Sequence, residues 1–537
     1  MCGIVGMAGN FNEEMLKSVL ETINHRGEDY SDIFIDEENN IGLGHNLLSI
    51  FSLIDENKQL SDNLEENKQP IILNDLVLVF NGEIYNFNHL ESFLEENNEI
   101  YHKSKSDSQI FANLIEYYYN SIKEDNSIDS SLILLESVKF VLPQLDGDYS
   151  FAVYDKKHNN LLISRDSIGV KPLFYGIDKE KDLNAFASEK KALWKAGISD
   201  EKIHDLQPGS ILYNWKIVDL EDSLINCIIN TDFKDIKTNF NEYKDYLETK
   251  DDYKVYKELL IDDLHSAVEK RVENISNVGL IFSGGVDSTI LAVLLKKIAE
   301  KRNDDNNSPP LNIRLYSVGV KNSQDVKFSE EIAADLNLPL KTIIIDENTV
   351  KESIKPVLTA IEDDNLMKLG VGIIIYLAAK AMKEENVKVA LSGQGADELF
   401  GGYNRYLKHF EDNALFDAYF DLDEEIYHDM ANMYHINLER DDAVSMANGV
   451  ELRVPFLDKD IIDLALDIPA KYKIKDNEDV LRKHILRDAA KSIGVPDYIS
   501  DRPKMAAQYG SGINKILKKK VLRSFDIKEF IDNLMEN

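Results

Sequence analysis

The stretch VGLIFSGGVDSTILAVLLKKIAEK, residues 278–301, constrains the fold more than any other part of the chain. Val278 to Phe282 is a short β run, Ser283 to Ser288 is a loop of small residues, and Ile290, Leu291, Leu294, Leu295 and Ile298 mark one face of a helix. A strand that feeds a helix in this way points to a parallel sheet covered by helices. Gly284 and Gly285 let the backbone approach an anion closely, and the amides and dipole at the helix start favour negative charge there. The loop is a candidate phosphate cradle. Asp287 would repel phosphate, so its expected role is to hold Mg2+. The alternative is an ordinary glycine turn. A second strand, VKVAL, also ends in small residues, SGQGADELFGGY, at the strand edge where open α/β sheets bind ligands. Asp397 and Glu398 there would add a second carboxylate to the metal site.

A chain of 537 residues that is 43% hydrophobic can bury more than one core. Up to about residue 215, β-rich runs such as LVLVFNGEIYN, YSFAVYD and NLLISRD alternate with turn residues. Residues 216–250 are polar and weakly periodic and read as a connector. From 251 to 537, helices dominate between isolated β runs. The formal net charge of −35 argues against a protein that tracks nucleic-acid phosphates or an anionic membrane, because both need clustered Lys and Arg. The most apolar run, GVGIIIYLAA before Lys380, is shorter than the ~20 residues of a membrane span, and no basic segment followed by an apolar one opens the chain. A cytoplasmic enzyme acting on small molecules is expected, with no nucleic-acid or membrane partner.

The chain opens MCGIVGMAGNF, and with 2 cysteines in all there is no disulfide framework. Cys2 therefore reads as a thiol. Cys227 lies outside every motif and reads as incidental.

SGGVDS resembles the PP-loop of ATP pyrophosphatases, which cleave ATP between the α and β phosphates to adenylate a substrate. SGQGADELFGGY, ELRVPFLDKD, RKHILRD and RPKMAAQYGSG, in that order, resemble the synthetase domain of glutamine-hydrolysing asparagine synthetases. MCGIVG, HRGEDYSD, NGEIYN, LDGDYSFAVYD and RDSIGVKPLFY resemble the N-terminal nucleophile glutaminase domain of the same enzymes and related amidotransferases. The resemblance implies an N-terminal nucleophile αββα sandwich over residues 1–215. A parallel-sheet PP-loop ATP pyrophosphatase domain with a helical C-terminal region would follow over 251–537. The implied reaction hydrolyses glutamine, adenylates aspartate with ATP and aminates the acyl-AMP to asparagine; a homodimer is allowed.

The same resemblance implies roles for individual residues. Phe282, Ser283, Gly284, Gly285, Asp287, Ser288, Val318, Ser392 and Gly393 would surround ATP, and Asp287 and Asp397 would ligate Mg2+. Lys504 would stabilise charge at the acyl centre. Removal of Met1 would leave Cys2 with a free α-amine whose pKa of about 7.7–8.0 lets it accept the thiol proton, so the thiolate can attack an amide. Asn81 and Gly82 would form the oxyanion hole, although Asn-Gly is also a simple turn signal. Glu83 would touch the substrate's amine region, Asp107 would pair with its ammonium, and Leu47, Leu48, Ser49, Ile50 and Phe51 would complete the glutamine site. His25 and Arg26 read as structural.

Three departures from the family pattern matter. Leu47 stands where an Arg normally clamps glutamine's carboxylate, and losing such a charge-assisted contact costs about 1.5–3 kcal/mol. Gln394 replaces a Glu thought to assist adenylation, and Lys368 and Gly370 replace Thr and Arg near the acceptor, while Glu362 matches. They leave three alternatives open: an amide ligase for another carboxylate, an ammonia-dependent enzyme with weak glutaminase, and a nucleotide sensor built on a decayed amidotransferase.

Overall fold

The computed structural model describes residues 2–50, 67–97, 106–124, 127–218, 252–304, 309–411, 413–503, 510–517 and 525–536. Phe51, Cys227 and Lys504 lie outside the described residues.

The first half is two six-stranded antiparallel sheets face to face. One runs, edge to edge, Ile203–Asp205, Phe174–Asp178, Leu183–Ala187, Gly3–Gly9, Ile41–Leu47 and Tyr30–Asp36. The other runs Lys216–Val218, Ile211–Tyr213, Asn160–Arg165, Gly147–Asp155, Leu76–Ile84 and Ile71–Leu73. Residues 216–218, counted with the connector on sequence grounds, form an edge strand here. The run LVLVF explains why both faces are covered. Val77 and Val79 join Ile4 and Leu43 between the sheets, while Leu76, Leu78 and Phe80 alternate onto the opposite face under helices Phe87–Asn97, Asp107–Lys123 and Ile133–Val141. Helices Glu13–Thr22 and Lys190–Lys195 cover the outer face of the first sheet, completing the αββα order. Each such buried Leu or Phe contributes roughly 1.5–3 kcal/mol relative to exposure.

The second half carries one five-stranded sheet, all parallel, in the order Leu340–Ile345, Asn312–Val320, Asn277–Ile281, Val389–Leu391, Glu451–Arg453. Alternate residues again serve opposite faces: Ile313 and Leu315 pack with helix Val286–Asp304, Tyr316 and Val318 with helices Glu347–Ile361 and Leu366–Glu384. The chain begins this sheet at its central strand, builds outward on one side and then returns to the other. The crevice between Asn277–Ile281 and Val389–Leu391 is thus a topological switch point, where the loops at the strands' C-terminal ends diverge to leave room for a ligand. Among the described residues no single helix is long and apolar enough to cross a membrane.

Candidate active sites

Cys2 stands at the start of Gly3–Gly9, a central strand of its sheet, and is buried. Its backbone N–H donates to Asn81 Oδ1 at 2.9 Å, and its carbonyl accepts from Arg26 Nε at 3.1 Å. Burial pushes the Cys2 thiol up, and a hydrogen bond from the Leu48 backbone offsets part of that rise. A thiol held this way stays protonated until a base acts on it. Asn81 is fully buried, with Nδ2 3.4 Å from Ser150 Oγ. Gly82 has no room for a side chain, because a Cβ would lie 2.2 Å from the Asp148 carbonyl oxygen on the paired strand. Asn81 and Gly82 therefore sit in a tightly packed stretch of strand, with Asn81 directly against the Cys2 backbone.

Asp107 opens helix Asp107–Lys123 and accepts N–H groups from Ile84 and Ser108 at 3.0 and 2.7 Å. Burial raises its carboxyl to about 6. Glu83 is buried and accepts from Arg453 Nη2 of the other half at 2.8 Å. Leu47 is buried at the end of its strand, placing an aliphatic group where the family has a guanidinium. The Leu48 backbone reaches the Cys2 thiol, the Ser49 carbonyl accepts from Lys388 Nζ at 2.9 Å, and the Leu48 and Ile50 side chains pack on Met446 of the second half. Arg26, read as structural, is fully buried between Glu189 and Asp442, yet its Nε also fixes the Cys2 carbonyl.

In the second half, Ser283, Gly285, Asp287, Ser288, Ser392, Gly393, Gln394 and Asp397 line one cavity of about 190 Å3. Phe282, Gly284 and Val318 stand outside its lining; Gly284, at φ +68°, makes the turn against Phe328, where a Cβ would come within 3.0 Å. The Ser288 and Thr289 hydroxyls donate back to the Gly285 carbonyl at 3.2 and 2.7 Å, fixing the first helical turn.

Asp287 and Asp397 converge on a residue that carried no assigned role in the sequence, Lys483. Its ammonium lies 2.8 and 2.9 Å from the two Asp287 oxygens and 2.5 Å from Asp397 Oδ1. Burial lowers the Lys483 pKa. Arg482 and Lys483 both have left-handed backbones, φ 53° and 55°, a strain of order 1–3 kcal/mol each that concentrates at functional sites. Gly402 makes room for the cluster, since a Cβ there would fall 1.9 Å from Asp397 Oδ1 and 2.3 Å from Lys483 Cε. RKHILRD and FGGY were the visible signals; the left-handed turn that aims the lysine was not. Arg487 and Arg502 also line the cavity and add positive charge that sequence reasoning missed.

Two carboxylates arranged around a cation fit a divalent ion. Among the described residues no group of three or more His, Cys, Asp or Glu could hold a metal, so Mg2+ at Asp287 and Asp397 would take its remaining ligands from phosphate and water.

A second cavity of about 680 Å3 adjoins the first, sharing Val371, Gln394 and Asp397. Lys368 lines it, paired with Asp363 at 2.6 Å, whereas Gly370 faces Asn514 instead. Glu362 turns away from the cavity, accepting the Lys190 and Lys191 backbone N–H groups at 2.8 Å each.

Fold and sites define a class: an N-terminal nucleophile sandwich joined to a phosphate-loop α/β domain. Residues 259–420 and 407–528 match the asparagine synthase family model, and residues 56–195 match the glutamine amidotransferase domain. The chain belongs to the asparagine synthase family. It is 36% identical to "Putative asparagine synthetase (glutamine-hydrolyzing) 1" of Methanocaldococcus jannaschii, over 99% of this chain and 98% of that protein. It is 28% identical to asparagine synthetase B (glutamine-hydrolyzing) of Escherichia coli, over 96% of this chain and 82% of that one.

Proposed function

We infer that the chain is a glutamine-dependent asparagine synthetase that uses ATP. The observation that carries the reading is the pairing, across one buried interface, of a cysteine beside an Asn-Gly strand with a phosphate loop bearing two aspartates. The sandwich that ends with the edge strand Lys216–Val218 acts as the glutaminase, the residues after it up to 250 as the connector and 251–537 as the synthetase. With Met1 removed, the Cys2 amine takes the thiol proton and the sulfur attacks the glutamine amide. Asn81 Nδ2 and the Gly82 amide stabilise the oxyanion, Asp107 and Glu83 hold the substrate's amine end, and water releases glutamate.

Aspartate is a poor electrophile because oxide is a poor leaving group. Attack of its carboxylate on the α-phosphate of ATP expels pyrophosphate and gives an acyl-AMP. The ammonia expelled when the Cys2 acyl-enzyme forms then attacks the acyl carbon, releasing AMP and leaving asparagine. Ser283, Gly285, Ser288, Ser392 and Gly393 cradle the phosphates, and Lys483 and Arg502 offset their charge. Asp287 and Asp397 would hold Mg2+, which supplies further neutralisation of phosphate charge. The larger cavity receives aspartate with Gln394 at its junction to the nucleotide, where Gln394 offers hydrogen bonds without charge. Lys504 and a homodimeric assembly remain part of the proposal. Incubation with ATP, Mg2+, glutamine and aspartate, followed by amino-acid analysis, tests donor and acceptor together: asparagine and glutamate are expected in equal amounts, and pyrophosphate release with no asparagine would overturn the acceptor.

A further inference from the structure

One group of buried charges crosses the domain interface and takes no part in the chemistry above. Glu362 accepts from the Lys191 backbone at 2.8 Å and from its ammonium at 3.2 Å. The same ammonium pairs with Glu189, which accepts from Arg26 Nη1 at 2.8 Å. Arg26 Nε then holds the Cys2 carbonyl at 3.1 Å, and Asp442 of the synthetase half grips Nη1 at 2.8 Å. All of these side chains are at least nine-tenths buried.

Buried ion pairs add little to stability over apolar packing, so a chain of them across two domains calls for another role. Glu362 supplies a clue. It is the left-handed cap, φ 54°, that ends helix Glu347–Ile361, its N–H donating to the Leu358 carbonyl at 2.9 Å, so the helix end aims its carboxylate. It also directly precedes Asp363, Asn365, Met367 and Lys368, which line the larger cavity beside Gln394 and Asp397.

We propose that Glu362 is a positioning residue for the glutaminase step: the chain Glu362, Lys191, Glu189, Arg26 carries the state of the acceptor cavity to the Cys2 carbonyl. The inference rests on the two-site reading given above. Lys191 divides its ammonium among Glu189, Glu362 and the Thr359 carbonyl at 3.3 Å, so any displacement of Glu362 alters that division. A ligand that moves the 363–368 segment moves Glu362 with it and changes how much of Lys191 falls to Glu189. Glu189 then holds Arg26 more or less firmly, and with it the residue that carries the nucleophile. Contiguous, paired groups of this kind are a physical route for coupling.

The test uses the full chain, Glu362→Gln, Glu189→Gln and the double variant. Glutamate release is measured with ATP, Mg2+ and glutamine, with and without aspartate, alongside asparagine yield from ammonium salts. In the unmodified chain aspartate is expected to raise glutamate release about 5-fold or more. Glu362→Gln loses that rise and keeps synthesis from ammonium, and the double variant is no worse than either single one. Glu362→Asp, which keeps the charge, recovers part of the response. An undiminished aspartate response in Glu362→Gln overturns the proposal. So does a loss of every activity together that Glu362→Asp restores together, because that marks a purely structural residue. Absence of asparagine from the unmodified chain would overturn the functional reading instead, while the aspartate response still reports on the coupling.

Discussion

The two reaction compartments hold their key groups in different electrical states. At the reacting atoms around Cys2 stand a thiol that burial pushes up, a side-chain amide and backbone N–H groups, with the Glu451 and Asp107 carboxylates close enough to raise the thiol further. Around Lys483 two carboxylates, Asp287 and Asp397, each lie within hydrogen-bonding distance of one ammonium. The difference follows the chemistry. A compartment whose nucleophile hands its proton to its own amine works with a thiol held neutral until that step, and one that receives a polyphosphate benefits from carboxylates and cations already in place. Damage should differ accordingly: the thiol compartment depends on single atoms, the phosphate one on balance.

The strongest break of this contrast is Cys2→Ala. It is expected to lower glutamine-dependent synthesis by about 10³-fold or more while synthesis from ammonium salts persists; parallel assays with the two nitrogen sources check it, and equal loss of both would join what the comparison separates. Next is Lys483→Met, which leaves Asp287 and Asp397 facing each other without their shared cation. Pyrophosphate release should drop about 10²-fold with glutamine hydrolysis intact. A third change moves charge into the thiol side: Leu47→Arg restores a carboxylate clamp and should reduce the KM for glutamine about tenfold. An unchanged KM would mean another cation already fills that role.

The smallest effect concerns pH. Asp107 has a folded-state pKa raised from 3.8 to about 6, so the folded chain keeps this proton longer than the unfolded one. Stability is therefore full below about pH 4 for this group and declines as pH rises towards 6. Asp107→Asn should flatten that decline, read from melting temperatures across pH 4 to 7, and an unchanged slope would mean that Asp107 is ionised in the folded chain throughout.

Much of this architecture was legible in the chain itself. The phosphate loop was readable because strand, glycines and helix are consecutive, and Asn81-Gly82 because a single strand carries both. Residues whose roles depend on distant partners were not. Lys483 lies 196 positions from Asp287 and reaches it through a left-handed turn that no periodicity signals. Glu362 matches its family position, yet its carboxylate binds Lys190 and Lys191, 172 and 171 residues away. Ser49 and Ile50 belong to the expected glutamine segment, and their contacts with Lys388 and Met446 across the interface, beyond the strand end at Leu47, could not be read from it. Gly402 belonged to a recognised motif, and only the packed structure gives the reason for its missing side chain.

The edge strand Glu451–Arg453 has a consequence for anyone wishing to cut the molecule in two. The Arg453 carbonyl accepts the Ser392 N–H at 3.0 Å, tying it to the nucleotide loop, while its guanidinium reaches Glu83 beside the oxyanion strand. Severing the connector and expressing the halves separately would strip Glu83 from that buried guanidinium, leaving it to Glu451 and the Arg271 carbonyl and leaving Glu83 without its cation. Chimaeras between relatives would thus have to exchange this arginine and its glutamate as a matched set.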